Sequence, residues 1–266
     1  MDLGFAKKVA VVTGGTRGIG KACARLFADE GAKVAICARN LERLKSVERE
    51  IESLGTEVLA LPADVSVRAQ VREFMTAVKS RFGRIDVLVN NAGESVRGED
   101  ALTDEGWEDH LRQYLHSARW CCEEVSPVMK DQRSGAIINI SSIAAKKPMN
   151  VSPLGAAKSA LNNYTLGLAI EMSPYKVRVN AVSPGIVMSP HRVLARGGVG
   201  ERIAQSYNMD SAEEALARYA RENTLIGRFA EPEEVANVVV FLASERAGVL
   251  TGSFLIVDGG TVRFVL

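Results

Sequence analysis

The chain has 266 residues, 47% of them hydrophobic and 24% charged, with a formal net charge of +1, which describes one soluble globular domain with a sizeable core. So even a balance excludes a general attraction to nucleic acid or to anionic membrane, and no run reaches the ~18 apolar residues of a membrane span. The four cysteines, Cys23, Cys37, Cys121 and Cys122, show no Cys-x-x-Cys spacing, and the first eight residues carry no apolar signal segment. Reduced thiols, no metal site and a cytoplasmic location are therefore expected.

In chain order, residues 7–13 form a short β-rich run that breaks at once into Gly14-Gly15-Thr16-Arg17-Gly18-Ile19-Gly20 and then a helical pattern. Glycines let a backbone turn tightly and approach a pyrophosphate, while a helix N-terminus offers unpaired N–H groups to its charge. The spacing predicts a phosphate cradle in which Gly14, Thr16, Arg17, Gly18, Ile19 and Gly20 all take part. A second strand over 32–38 ends in Arg39. An acid there would hold the ribose hydroxyls of NAD(H), whereas a guanidinium accommodates a 2′-phosphate, and Arg17 in the glycine loop adds a second positive charge. Capping of a surface turn is the other role open to Arg39.

An amphipathic helix over 41–54 and a third strand over 57–61 follow, and then Asp64-Val65, where Asp64 is also placed to cap a helix over 66–80. The fourth strand, 85–89, runs into Asn90-Asn91-Ala92-Gly93, and the polar residues 94–105 read as a loop. One long helix is expected over 104–130, a buried strand over 136–140, and a small-residue helix from Pro153 that carries Lys158. The remainder reads as a strand over 175–182, a charged helical excursion over 197–222, a capped helix over 231–242 and a last strand over 253–257. Strand and helix alternating with short turns define an α/β domain with a doubly wound parallel sheet, whose ligand lies beyond the strand carboxyl ends. No linker divides it: residues 1–266 read as one unit with a lid at roughly 190–225.

Thr-Gly-x-x-x-Gly-x-Gly at 13–20, Asn-Asn-Ala-Gly at 90–93, Pro-Gly-x-x-x-Ser at 184–189 and Asp-Gly-Gly at 258–260 together resemble the short-chain dehydrogenase/reductase family along nearly the whole chain. The resemblance implies a Rossmann-type fold and assigns cofactor contacts. Asp64 and Val65 would hold the adenine, Asn90, Ala92 and Gly93 would form the wall against the cofactor, and Pro184, Gly185, Val187 and Ser189 would hold the nicotinamide amide and pyrophosphate. Lys158 would hold the nicotinamide ribose, and Ser142 would bond the reacting oxygen, with Ser141 as the alternative. A homotetramer is implied, built from the last strand and the helices that begin near Asp104 and Pro153, with Cys121 and Cys122 as packing residues.

Two departures accompany the match. One helical turn before Lys158, where the family carries its proton-donating tyrosine, this chain has Leu154; seven residues after Trp107, where the family carries asparagine, it has Tyr114. A tyrosine reaches further than an asparagine, so Tyr114 is a candidate replacement donor, with a core role as the alternative. His191 and a water held by Lys158 are the other proton sources, while His110 and His116 are expected to pack. Glu94, Arg97, Lys146 and Lys147 lie on segments that border substrate in the family. The expected function is NADP(H)-dependent oxidation or reduction of a small carbonyl compound or secondary alcohol. A non-redox lyase, isomerase or hydrolase, and an inactive nucleotide-binding protein, stand as alternatives.

Overall fold

The computed structural model describes residues 2–94, 98–148, 151–189, 193–194 and 197–263. Among the described residues seven strands, β1 (Val9–Thr13), β2 (Lys33–Ala38), β3 (Val58–Pro62), β4 (Val87–Asn90), β5 (Gly135–Ile140), β6 (Val177–Pro184) and β7 (Phe254–Val257), form one sheet in the order β3-β2-β1-β4-β5-β6-β7. Every pairing is parallel. Strands buried on both faces need continuous apolar runs, and Val9-Ala10-Val11-Val12-Thr13 is buried at every position. Lys7 takes φ +66°, turning the chain just ahead of β1.

The helices are α1 (Gly18–Asp29), α2 (Leu41–Glu52), α3 (Arg68–Phe82), α4 (Asp104–Leu111), α5 (Ser117–Gln132), α6 (Pro153–Met172), α7 (Val199–Tyr207), α8 (Ala212–Asn223) and α9 (Pro232–Ala243). Phe27 of α1, Leu44 of α2 and Val239 of α9 pack on one face of the sheet with Val12, Ile36 and Ile138. Phe74 of α3, Met129 of α5 and Met172 of α6 pack on the other with Val11, Leu88 and Ile137. A smaller cluster of Val193, Ile203, Leu216 and Phe229 holds α7 and α8 together. The reversal of strand order between β1 and β4 opens a crevice at their carboxyl ends, where a doubly wound sheet binds its ligand.

Two elements differ from the sequence reading. The single helix expected over 104–130 is interrupted at Arg112–His116 by a π turn, in which the Ser117 N–H donates to the Arg112 carbonyl five residues back. One extra residue is thereby inserted per turn, a distortion that recurs at functional sites, and Tyr114 stands at its middle. Asp64 does not cap the next helix. Its Oδ1 accepts from Ser66 N–H (2.9 Å) and Ser66 Oγ–H (2.7 Å), which makes a local turn, and α3 begins only at Arg68, with Val67 at its N-cap. Among the described residues no helix is long and apolar enough to cross a membrane.

Candidate active site

The glycine loop leaves the end of β1 and enters α1, whose first turn has no acidic residue and whose N-cap, Arg17, makes no side-chain cap bond. The first-turn N–H groups are thus available to an anion. Gly14 has φ +66°, and a Cβ there would come within 2.9 Å of the Ala92 Cα; a Cβ on Gly20 would lie 2.3 Å from both Asn91 Nδ2 and the Gly14 carbonyl oxygen. Only glycine fits either place.

The loop is clamped from β4. Asn91 N–H and Ala92 N–H both donate to Thr13 Oγ1, at 3.0 and 3.1 Å, and Asn91 Nδ2 donates to the carbonyls of Thr13 (2.9 Å) and Gly14 (3.2 Å). Thr13 and Asn91 thus tie two strand ends together, a role that sequence reading did not assign to Thr13. Next to them, Asn90 Nδ2 donates to Asn139 Oδ1, and Asn139 Nδ2 donates to Thr165 Oγ1, both at 2.9 Å. This buried chain fixes β4, β5 and α6 in one register.

Past the ends of β1 and β2 the two arginines cluster on a single acid. Arg17 Nη2 lies 2.6 Å, and Arg39 Nη2 3.1 Å, from the same Glu94 Oε2. Arg39 is thus in a pair with Glu94, and the cap of α2 is Asn40, whose side chain accepts from Arg43 N–H. Val65 is buried and Asp64 half-buried beside the end of β3. On the other side of the crevice, Gly185 N–H donates to Val257 O at 3.0 Å, and a Cβ on Gly185 would meet the Asp258 Cβ at 2.9 Å. Val187 bridges to Ala230, and Ser189 is buried, its carbonyl accepting from Val193 N–H. Pro184 ends β6 in register with Val257.

The reactive candidates come from three elements. Lys158, on the second turn of α6, is 6% exposed, and its Nζ donates to Ile140 O at 2.5 Å. The same ammonium lies 4.6 Å from the centre of the Tyr114 ring. Tyr114 is equally buried, and its ring fills the space over Gly93, where a Cβ would come within 2.3 Å of Tyr114 Cε1. Ser142, two residues beyond Ile140, is half-buried, and its Oγ accepts from Ala144 N–H at 3.1 Å. Ser141 is buried, its N–H donating to Val182 O and its Oγ without a partner among the described residues. Of the two serines, Ser142 is the one turned toward solvent. Leu154 sits in the first turn of α6, which Ser152 caps by accepting from Gly155 N–H.

His110 is buried with Nδ1 2.7 Å from the Gly106 carbonyl, an acceptor, so that nitrogen carries the proton; its ring lies 5.9 Å from that of Tyr114. His116 stacks on Trp120 at 5.8 Å. Lys147 Nζ donates to Thr261 O, and Lys146 lies over the Phe254 ring. His191 and Arg97 fall outside the described residues. Among the described residues no group of His, Cys, Asp or Glu could hold a metal ion.

The residues fit a dinucleotide. Gly14 and Gly20 let the loop turn tightly against Asn91 and Ala92 where no Cβ fits, the first turn of α1 carries no acid, and two guanidinium groups stand past the ends of β1 and β2. A family model described as enoyl-(acyl carrier protein) reductase matches residues 14–262. A 3-oxoacyl-(acyl-carrier-protein) reductase from Thermotoga maritima is 36% identical over 261 residues, covering 96% of this chain and 98% of that one. A 1,6-dihydroxycyclohexa-2,4-diene-1-carboxylate dehydrogenase from Pseudomonas putida is 33% identical over 262 residues, covering 98% and 94%. Among solved structures, the L-sorbose reductase of Gluconobacter frateurii in complex with NADPH and L-sorbose superposes with a TM-score of 0.91 at 35% identity over 100% of both chains. With the parallel sheet, the glycine cradle and a buried lysine beyond β5 in agreement, the chain belongs to the short-chain dehydrogenase/reductase family.

Proposed function

We propose that this protein is an NADP(H)-dependent oxidoreductase that interconverts a small carbonyl compound and its secondary alcohol, with Tyr114 as proton donor and acceptor. The observation that carries the reading is the 4.6 Å approach of the Lys158 ammonium to the Tyr114 ring, on a π turn that presses that ring against Gly93. Leu154, one turn before Lys158, has no proton to give.

The glycine loop and α1 amides would hold the pyrophosphate, Arg17 and Arg39 the 2′-phosphate, and Asp64 and Val65 the adenine, and Asn90, Ala92 and Gly93 would wall the cofactor. Pro184, Gly185, Val187 and Ser189 would hold the nicotinamide amide and pyrophosphate. When bound, the nicotinamide supplies the hydride for reduction and takes it up in oxidation. Ser142 Oγ–H donates to the substrate oxygen, orienting it and stabilising the negative charge that grows there as the carbonyl carbon is reduced. The Tyr114 hydroxyl then gives that oxygen its proton, and the Lys158 ammonium, next to the ring, stabilises the phenolate left behind. In alcohol oxidation the same proton travels back. Exposed Leu166 and Ile170 on α6 support self-association through that helix, and a homotetramer is part of the reading.

The test separates binding from chemistry. Tyr114→Phe keeps the ring and removes the hydroxyl, so NADPH binding measured by fluorescence should hold while carbonyl reduction, followed at the NADPH absorbance over a panel of ketones, falls ~100-fold or more, as loss of a general acid does. Unchanged turnover in Tyr114→Phe would remove Tyr114 from the mechanism. NADPH binding with product formed but no NADPH consumed would indicate a non-redox reaction on the same scaffold.

A further inference from the structure

We infer that Glu94 is an internal counter-ion that occupies the place of the cofactor's 2′-phosphate and so sets how strongly the site prefers phosphorylated over unphosphorylated dinucleotide. The inference rests on the NADP(H) reading of Arg17 and Arg39. Those two side chains come from different elements, the loop after β1 and the end of β2, and lie 77 and 55 residues from Glu94 in sequence. Yet both meet one carboxylate oxygen, at 2.6 and 3.1 Å. Two guanidinium groups brought together from separate loops repel each other, and an anion between them removes the repulsion.

A 2′-phosphate offers the same guanidinium donors oxygens of the same sign of charge, carrying more negative charge than that carboxylate. The two anions cannot share the arginine pair without repelling each other, so phosphate binding turns Glu94 out. Its side chain is 45% exposed, and the movement into water unpacks nothing in the core. The ion pairs broken in this exchange are subtracted from NADP(H) affinity. An unphosphorylated dinucleotide leaves them intact, and so gives up nothing. Glu94 follows directly on Gly93, the residue over which the Tyr114 ring lies, which puts the exchange at the adenosine end of the same loop that walls the reactive centre.

The experiment is calorimetric titration of the wild type, Glu94→Gln and Arg39→Ala with adenosine 2′,5′-bisphosphate and with adenosine 5′-monophosphate, followed by NADPH and NADH. Glu94→Gln should tighten the bisphosphate and NADPH roughly three- to thirtyfold, the scale set by two exposed ion pairs, and leave the monophosphate and NADH unchanged. Arg39→Ala should weaken the bisphosphate alone. If Glu94→Gln binds the bisphosphate no better than the wild type, or tightens both nucleotides equally, the counter-ion role is overturned while the arginine site stands. If the wild type does not distinguish the two nucleotides and Arg39→Ala changes neither, the NADP(H) reading itself fails and the inference falls with it.

Discussion

The Lys158 ammonium holds the Ile140 carbonyl at 2.5 Å and at the same time faces the Tyr114 ring at 4.6 Å, so one buried cation joins the end of β5 to the π turn between α4 and α5. Together the two contacts explain how the lysine stays in a position only 6% exposed: a carbonyl and an aromatic face replace part of its lost hydration. The second puts a phenol beside a buried lysine.

Rescue follows from that placement. Leu154 lies on α6 one turn before Lys158 and is half-buried, so Leu154→Tyr brings a second phenol to the same lysine from the helix on which the family carries its own. In a Tyr114→Phe background, Leu154→Tyr should recover a tenfold or greater part of the lost reduction rate, a fraction of the ~100- to 10,000-fold that a general acid contributes. Steady-state rates at saturating NADPH for the two single variants and the double variant decide it. A double variant no faster than Tyr114→Phe counts against a shared proton-transfer position.

The buried amide chain makes a stability prediction. Asn139 is fully buried, accepts from Asn90 Nδ2 through Oδ1 and donates to Thr165 Oγ1 through Nδ2. Asn139→Ala removes both bonds, leaving Asn90 Nδ2 only the weak acceptor Cys122 Sγ at 3.3 Å and Thr165 Oγ1 only its own donation to Leu161 O, a loss of two buried hydrogen bonds that costs about 1–3 kcal/mol. Urea unfolding should show the midpoint falling with an unchanged slope, and the carboxyl ends of β4 and β5, freed from each other, should bind NADPH more weakly. Asn139→Ala within 0.5 kcal/mol of the wild type, on the order of a surface change, would show that the chain is not a structural tie.

How far the sequence spoke for this arrangement depends on which residues carried backbone demands. The cradle was legible because Gly14 and Gly20 stand where any Cβ collides, and a collision of that kind leaves a mark in composition. Strands were legible for a similar reason, since a sheet covered on both sides needs runs such as Val-Ala-Val-Val. The π turn at Arg112–His116 left no mark: it inserts a residue without needing a glycine, a proline or any special side chain. Asp64 read as a helix cap because aspartate serves in both caps and local turns, and the choice was made by Ser66, which took its carboxylate first. Glu94 could not be read as the partner of Arg17 and Arg39, because nothing local relates residues 77 and 55 apart; only the folded loops bring them together.

Thiol reactivity gives an independent check on the core. Cys23, Cys37, Cys121 and Cys122 are all buried, and burial pushes the Cys37 and Cys122 thiols up to about 12, with Cys23 and Cys121 also raised well above the usual thiol range. The thiolate is the reactive form, so at pH 8 none should be alkylated on the timescale of a free thiol. Iodoacetamide labelling followed by mass spectrometry should give no modified cysteine in the native protein and four in urea. Fast labelling of Cys121 or Cys122 without denaturant would mean that α5 opens from the sheet.

The start of α9 predicts how stability varies with acid. Arg228 meets both oxygens of Glu234 at 2.7 Å, and Glu234 Oε2 also accepts from Glu231 N–H at 2.9 Å. The Arg228 hydrogen bond first, and the backbone N–H second, lower the Glu234 carboxyl from 4.5 to about 2. A group whose pKa is depressed on folding contributes stability that is fully present above its unfolded value and is lost as the pH falls from there through the folded one. Melting temperatures of the wild type and Glu234→Gln should therefore differ most above about pH 5, where the unfolded carboxyl is ionised as well, and should converge as the pH approaches about 2. The difference at neutral pH should be small, because the pair is open to solvent and added salt screens it. A gap between the two proteins that is the same at pH 7 and at pH 3 would assign the contribution of Glu234 to its shape at the helix start rather than to its charge.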